Sequence, residues 1–121
     1  MLNKKDRTLA RYMRAGALMR LYKTLGAKML VCAGGVLSKS DSKKIMNAME
    51  KIDAVCSNAE ENMFRDHPGL PRDYIEVFYG STAIEARNDV EREVLRIARE
   101  AADELFAGES DREKTRRSGG M

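Results

Sequence analysis

A chain of 121 residues with two cysteines, one histidine and no tryptophan is long enough to bury one hydrophobic core without metal or disulfide staples. No apolar run approaches the ~20 residues that cross a bilayer, and no apolar stretch of a secretory signal follows the start. We therefore expect a cytoplasmic protein with no membrane partner. The net charge of +3 is unevenly distributed along the chain. Residues 1–28 hold eight Lys/Arg and one Asp, whereas residues 52–109 are acidic.

The first predicted helix runs from about Lys4 to Ala33, ahead of Gly34. One of its faces is basic at the start and apolar after residue 16: Lys4, Arg7, Arg11, Arg14, then Leu18, Tyr22, Leu25, Met29 and Cys32. The opposite face shows the reverse order: Leu2, Leu9, Met13 and Gly16, then Arg20 and Lys23.

No straight helix buries the apolar part of both faces in one core. Either the helix bends near Gly16, or residues 1–16 project as an arm. A projecting arm would bury Leu2, Leu9 and Met13 against another molecule, in the simplest case a second copy of the chain, since exposed large apolar side chains forfeit ~1.5–3 kcal/mol each. We therefore expect an oligomer, with a dimer as its simplest form.

The second predicted helix, about Asp41 to Phe64, starts at Ser40 as N-cap. Its apolar stripe has the clearest helical spacing in the chain: Ile45, Met49, Ile52, Cys56, Ala59 and Met63. If the two helices form a hairpin, Cys32 and Cys56 lie on the order of 20 Å apart along the axes, far beyond the ~7 Å between Cα atoms that a disulfide allows. Both cysteines are thus predicted to be buried free thiols.

A turn follows at residues 66–71, which contain two prolines and a glycine. Residues 71–79 are predicted as a short helix, although their composition also suits a strand. Tyr74 and Phe78 either plug the end of the bundle or form a protein contact.

A capping box of Thr82 and Glu85 predicts a long last helix to about Ala107, ended by Gly108. The expected fold is an all-α bundle of three long helices and one short one over residues 1–108. Residues 109–121 are expected to be a disordered polar tail.

The basic face offers a surface that could follow nucleic acid phosphates. Its predicted binding residues are Lys4, Arg7, Arg11 and Arg14, supported by Lys5, Arg20 and Lys23. The predicted oligomer or protein interface comprises Leu2, Leu9, Met13, Gly16, Tyr74 and Phe78. Contact with nucleic acid would be largely independent of sequence, because the face lacks Asn and Gln.

An alternative partner is an acidic protein surface. A rival function, suggested by Leu2, Leu9 and Met13 together with the aromatic cluster, is a protein-binding adaptor or an inhibitor of a host macromolecular complex. Such a role is common among small helical accessory proteins of phages and mobile elements. A third class, a small-molecule or second-messenger site lined by arginines between subunits, also stays open.

Catalysis, cofactors and metals are not predicted. His67 is the only histidine and lies in a turn, without the further ligands that a zinc site needs or a neighbouring nucleophile. We expect it to be an exposed turn residue in a protein that is not an enzyme.

Overall fold

The computed structural model describes residues 1–80 and 85–119, with side chains described as far as residue 105. A 3-10 turn at Lys4–Asp6 precedes helix α1 (Leu9–Ala33) and helix α2 (Lys39–Asp66). A second 3-10 turn at Arg72–Glu76 leads to helix α3 (Asp89–Gly119). The described residues contain no strand, which confirms the all-α class. The short element is a 3-10 turn, and a second such turn lies near the start.

Helix α1 begins later than predicted because Thr8 caps it. The Arg11 backbone N–H donates to Thr8 Oγ1 at 3.3 Å, and Thr8 itself is extended. Lys4 and Arg7 therefore precede the helix and do not share a helical face with Arg11, so the predicted four-residue basic face is wrong. The helix continues through Gly16 without interruption.

Helix α2 carries the predicted apolar stripe. It starts after Ser38, whose hydroxyl accepts from the Asp41 N–H at 3.1 Å, and not after Ser40 as expected. Cys56 and Met63 are fully buried. Cys56 is a buried free thiol as predicted, whereas Cys32 is exposed.

Helix α3 begins seven residues after the predicted cap. Asn88 Oδ1 accepts from the Glu91 N–H at 2.8 Å, and the Arg87 N–H donates to Glu91 Oε1 at 2.7 Å. The predicted Thr82 cap falls outside the described residues. The helix extends to Gly119 rather than ending at Gly108, since a single glycine costs only about 1 kcal/mol in a helix rich in good formers. The expected disorder of residues 109–121 stays a prediction.

Helix α1 is the centre of the fold. It packs against α2 on one side and against α3 on another, while α3 also packs on the second 3-10 turn. Val77 and Phe78, which follow that turn, are fully buried in the same core as Val94 and Ala98 of α3.

Candidate binding surface on helix α1

The inner face of α1 consists of Leu9, Met13, Gly16, Arg20 and Lys23. Leu9 and Met13 pack against the core, and Gly16 and Arg20 are buried. This corrects the expectation that the apolar side of residues 1–16 points away from the protein's own interior. These residues are used inside the monomer, and so is the fully buried Phe78.

Gly16 provides a close approach between α1 and the segment after the second 3-10 turn. A Cβ atom built on Gly16 would lie 2.4 Å from the Val77 carbonyl oxygen and 2.5 Å from Val77 Cγ1. Only glycine leaves room for this contact. Gly16 therefore serves packing within the monomer rather than the predicted contact with a second copy.

Arg20 is a fully buried cation, although the sequence suggested a surface residue. Its Nη2 lies 3.3 Å from Glu91 Oε2, with both side chains fully excluded from solvent. Its guanidinium also donates to the carbonyl oxygens of Glu76, at 2.5 Å, and Gly80, at 3.3 Å. Burial lowers the pKa of Arg20, and the charge of Glu91 opposes that change.

The two acids beside Arg20 respond in opposite directions. Burial acts to raise the pKa of Glu91, but the hydrogen bond from the Arg87 N–H and the contacts with Glu76 and Arg20 outweigh it and lower the pKa. The pKa of Glu76 is raised, first by burial and then by Glu91. The cluster thus keeps a Glu91 carboxylate against the Arg20 guanidinium in the core.

Lys23 also binds within the chain. Its ammonium donates to the Phe78 carbonyl oxygen at 2.8 Å, lies 3.5 Å from Asp53 Oδ1 and sits 5.2 Å from the centre of the Tyr79 ring. Together with Arg20 it holds the segment that follows the second 3-10 turn against α1. The expectation that Arg20 and Lys23 add to an external anion surface is therefore wrong.

Arg7 anchors the start of the chain to the end of α2. Its guanidinium donates to both carboxylate oxygens of Asp66, at 2.6 and 3.0 Å, and the Tyr12 hydroxyl donates to the same carboxylate at 2.5 Å. These hydrogen bonds, Arg7 first, hold the pKa of Asp66 well below its usual range. The Arg7 guanidinium is thus already paired with the nearly buried Asp66 carboxylate.

His67 belongs to this cluster rather than to an exposed turn. Its Nε2 lies 2.8 Å from the Arg7 carbonyl oxygen, and its ring packs edge-on against Tyr12 with centroids 5.9 Å apart. It is half-buried, because the chain start folds over it.

The outer face of α1 is exposed along its whole length. Its members are Arg11 and Arg14, followed by Leu18, Tyr22, Leu25, Met29 and Cys32. The apolar side chains retain much of their exposure: 41% for Leu18, 57% for Tyr22, 62% for Leu25 and 47% for Met29. Both alternatives drawn from the sequence, a bend near Gly16 or a projecting arm, leave this apolar part to pack on the core. That expectation is wrong, because α2 and α3 pack on other sides of the helix.

Exposed cations lie at both ends of this apolar row. The side chains of Arg11, Arg14 and Lys28 are exposed and form no ion pair with any described residue. Lys4 and Lys5 are likewise exposed, near the chain start. Helix α1 itself contains no Asp or Glu, so its outer face carries positive charge only.

A shallow groove borders the row on its α2 side. It is lined by Leu18, Met19, Tyr22 and Ile52. The groove is apolar and joins the two helices, so a ridge of side chains from another element could pack into it. Of the other predicted interface residues, Leu2 is exposed and Tyr74 is half-buried.

The Asn88 cap could have been found from sequence, since Asn followed three residues later by Glu is a helix-start signal. The sequence also shows that residues 9–33, which form α1, contain no Asp or Glu.

Over residues 1–80 and 85–119, His, Cys, Asp and Glu side chains do not gather in the threes that would hold a metal ion. Within the same part of the chain, every helix is too short or too polar to cross a membrane. No protein-family model matches the chain, and neither a curated protein nor a solved structure does.

Proposed function

We propose that the protein is a non-enzymatic binding module that docks a partner protein on the outer face of α1. The observation that carries this proposal is the exposed row of Leu18, Tyr22, Leu25 and Met29, which extends about 17 Å along the helix. Contiguous exposed apolar side chains of this kind mark contact sites, whereas single ones are ordinary.

The geometry supports a protein partner more than nucleic acid. Three of the seven predicted cations, Arg7, Arg20 and Lys23, are bound to groups of the chain itself. A phosphate backbone offers no apolar surface for the row of Leu18, Tyr22, Leu25 and Met29 to pack on. Apolar residues surrounded by a polar rim are typical of protein interfaces.

A photo-crosslinking experiment tests the docking site. A benzophenone amino acid at Tyr22 of the full chain should give one discrete protein adduct in cells, and Leu18→Ser with Met29→Ser should abolish it. The matched control is Met46→Ser with Ile75→Ser, which removes one side chain that is 50% exposed on α2 and one that is 42% exposed on the second 3-10 turn. No adduct, or equal loss in both double variants, would overturn the proposal.

Nucleic acid stays a second candidate because Lys4, Lys5, Arg11 and Arg14 are exposed and unpaired among the described residues. Four phosphate contacts would give log K a slope of about −3 to −4 against log salt. Titrating DNA and RNA at 50–200 mM salt should show that slope, and Arg11→Glu with Arg14→Glu should roughly halve it. Binding that ignores salt, or none at low salt, excludes this candidate.

A further inference from the structure

We infer that the occupant of the outer face is an acidic amphipathic helix of a partner protein, lying along α1. This rests on the proposed function, because it names the chemistry of the partner that docks there. The docking segment of the partner is a helix rather than a loop, and its flanking charge is negative.

The shape of the surface fits a helix. From Arg11 to Met29 the outer face follows one side of a continuous α-helix for about 27 Å. The groove lined by Leu18, Tyr22 and Ile52 runs beside it between α1 and α2. A helix laid there would place its apolar side chains in the groove.

The fold leaves room for one more helix. Helix α1 already contacts α2 and α3 on its other sides, so an occupant of the outer face would complete a ring of neighbours around it. Leu25 and Met29, the most distal large side chains of the row, would then become buried instead of 62% and 47% exposed.

Charge selects the kind of helix. Arg11 and Arg14 lie at one end of the apolar row and Lys28 lies beside its other end, all exposed. Because α1 carries no acid, a partner with Asp or Glu where it meets Arg11, Arg14 and Lys28 is complementary, and a basic one is repelled there.

The same charge argues against the outer face of a second copy as occupant. Two outer faces packed together would place cations opposite cations or apolar groups, with no acid on either α1 to compensate. Like-charge juxtaposition across an interface is costly.

Synthetic peptides test the inference on the full chain. The probe is a fluorescent helix of about 20 residues with Leu at positions i, i+4, i+7 and i+11, Glu on both flanks and Ala elsewhere. One control peptide replaces every Glu by Lys, and another replaces every Leu by Ser. We expect the acidic probe to bind at least tenfold more tightly than either control in fluorescence anisotropy.

Variants of the chain separate the contribution of the apolar row to probe binding from the contribution of the arginines. Leu25→Ser should weaken the acidic probe at least tenfold, while the matched control Ile75→Ser, which removes a 42% exposed side chain from the second 3-10 turn, should leave it unchanged. Arg11→Glu with Arg14→Glu should reverse the preference toward the Lys peptide. Equal binding of Glu and Lys peptides, or no effect of the charge reversal, would overturn the inference.

Failure of this inference can be told apart from failure of the proposed function. If crosslinks form at Tyr22 but the acidic probe does not bind, docking stands and the occupant has other chemistry. If sedimentation shows a dimer that Leu18→Ser with Met29→Ser dissociates, the occupant is a second copy and the inference is overturned. Absence of both crosslinks and probe binding rejects both.

Discussion

Replacing Arg20 by methionine should destabilise the fold strongly. Methionine has a similar length and fills similar space, but it removes the positive charge opposite Glu91. The Glu91 carboxylate would then be left in the core with neither a countercharge nor water, since both side chains are fully excluded from solvent. The carbonyl oxygens of Glu76 and Gly80 would lose donors at the same time.

Breaking a buried ion pair by removing one partner costs about 3–5 kcal/mol. That is a large part of the 5–15 kcal/mol by which domains are ordinarily stable. For a chain of this size it corresponds to a fall of roughly 10–20 °C in the midpoint of thermal unfolding.

The assay is urea unfolding of the wild type, Arg20→Met, and the double variant Arg20→Met with Glu91→Gln. Glutamine removes the stranded charge but keeps a side-chain oxygen for the Arg87 N–H that Glu91 now accepts. The double variant should therefore recover a substantial part of the loss. A loss below about 1 kcal/mol in Arg20→Met, or a double variant as unstable as the single one, would refute the burial argument.

Three further predictions concern packing and titration. Gly16→Ala should lower the free energy of unfolding in urea by about 1–3 kcal/mol, because the new Cβ would clash with the Val77 backbone. The control Gly35→Ala should leave that free energy unchanged, since the space around Gly35 is open. Equal effects of the two variants would contradict the close approach at Gly16. Glu60→Gln should raise the thermal midpoint at pH 7, because burial first, and a neighbouring glutamate second, raise the pKa of Glu60, one of whose buried oxygens has no hydrogen-bond partner. A raised pKa means that the wild type loses stability at the pH where the Glu60 carboxyl ionises. The difference in thermal midpoint between variant and wild type should therefore vanish below about pH 4, and a difference that does not change with pH would contradict this explanation. The pKa of Asp66 is lowered by its arginine and tyrosine partners, so the stability that this carboxylate contributes to the fold is present at neutral pH and lost as the pH falls below about 4. Asp66→Asn should therefore flatten the acid limb of a curve of unfolding free energy against pH. An unchanged limb would show that other groups cause it.

Where apolar periodicity is one-sided, the sequence predicts the structure well. Helix α2 has a single apolar stripe, and its members Cys56 and Met63 are buried as expected. The turn after α2 follows from two prolines and a glycine. The all-α class follows from the same kind of local pattern. The predicted helix boundaries are wrong where another residue caps the helix, as Thr8, Ser38 and Asn88 do, and where α3 continues past Gly108.

Helix α1 could not be placed from sequence because two of its faces compete. The face with Leu18, Tyr22, Leu25 and Met29 has more apolar residues, whereas the face that is buried contains Arg20. Burial of Arg20 is possible only because Glu91 lies opposite it, 71 positions further along the chain. Such a distant compensation has no local signature, so the pattern alone pointed to the wrong side of the helix and to the wrong site.

The central position of α1 has a consequence for regulation. One side of this helix holds α2, another holds α3 and the segment after the second 3-10 turn, and the remaining side is open. Any molecule that binds only the folded helix stabilises the entire domain by thermodynamic linkage. An occupant would therefore raise the free energy of unfolding as its concentration exceeds its dissociation constant, and the open state that proteases cleave would become rarer.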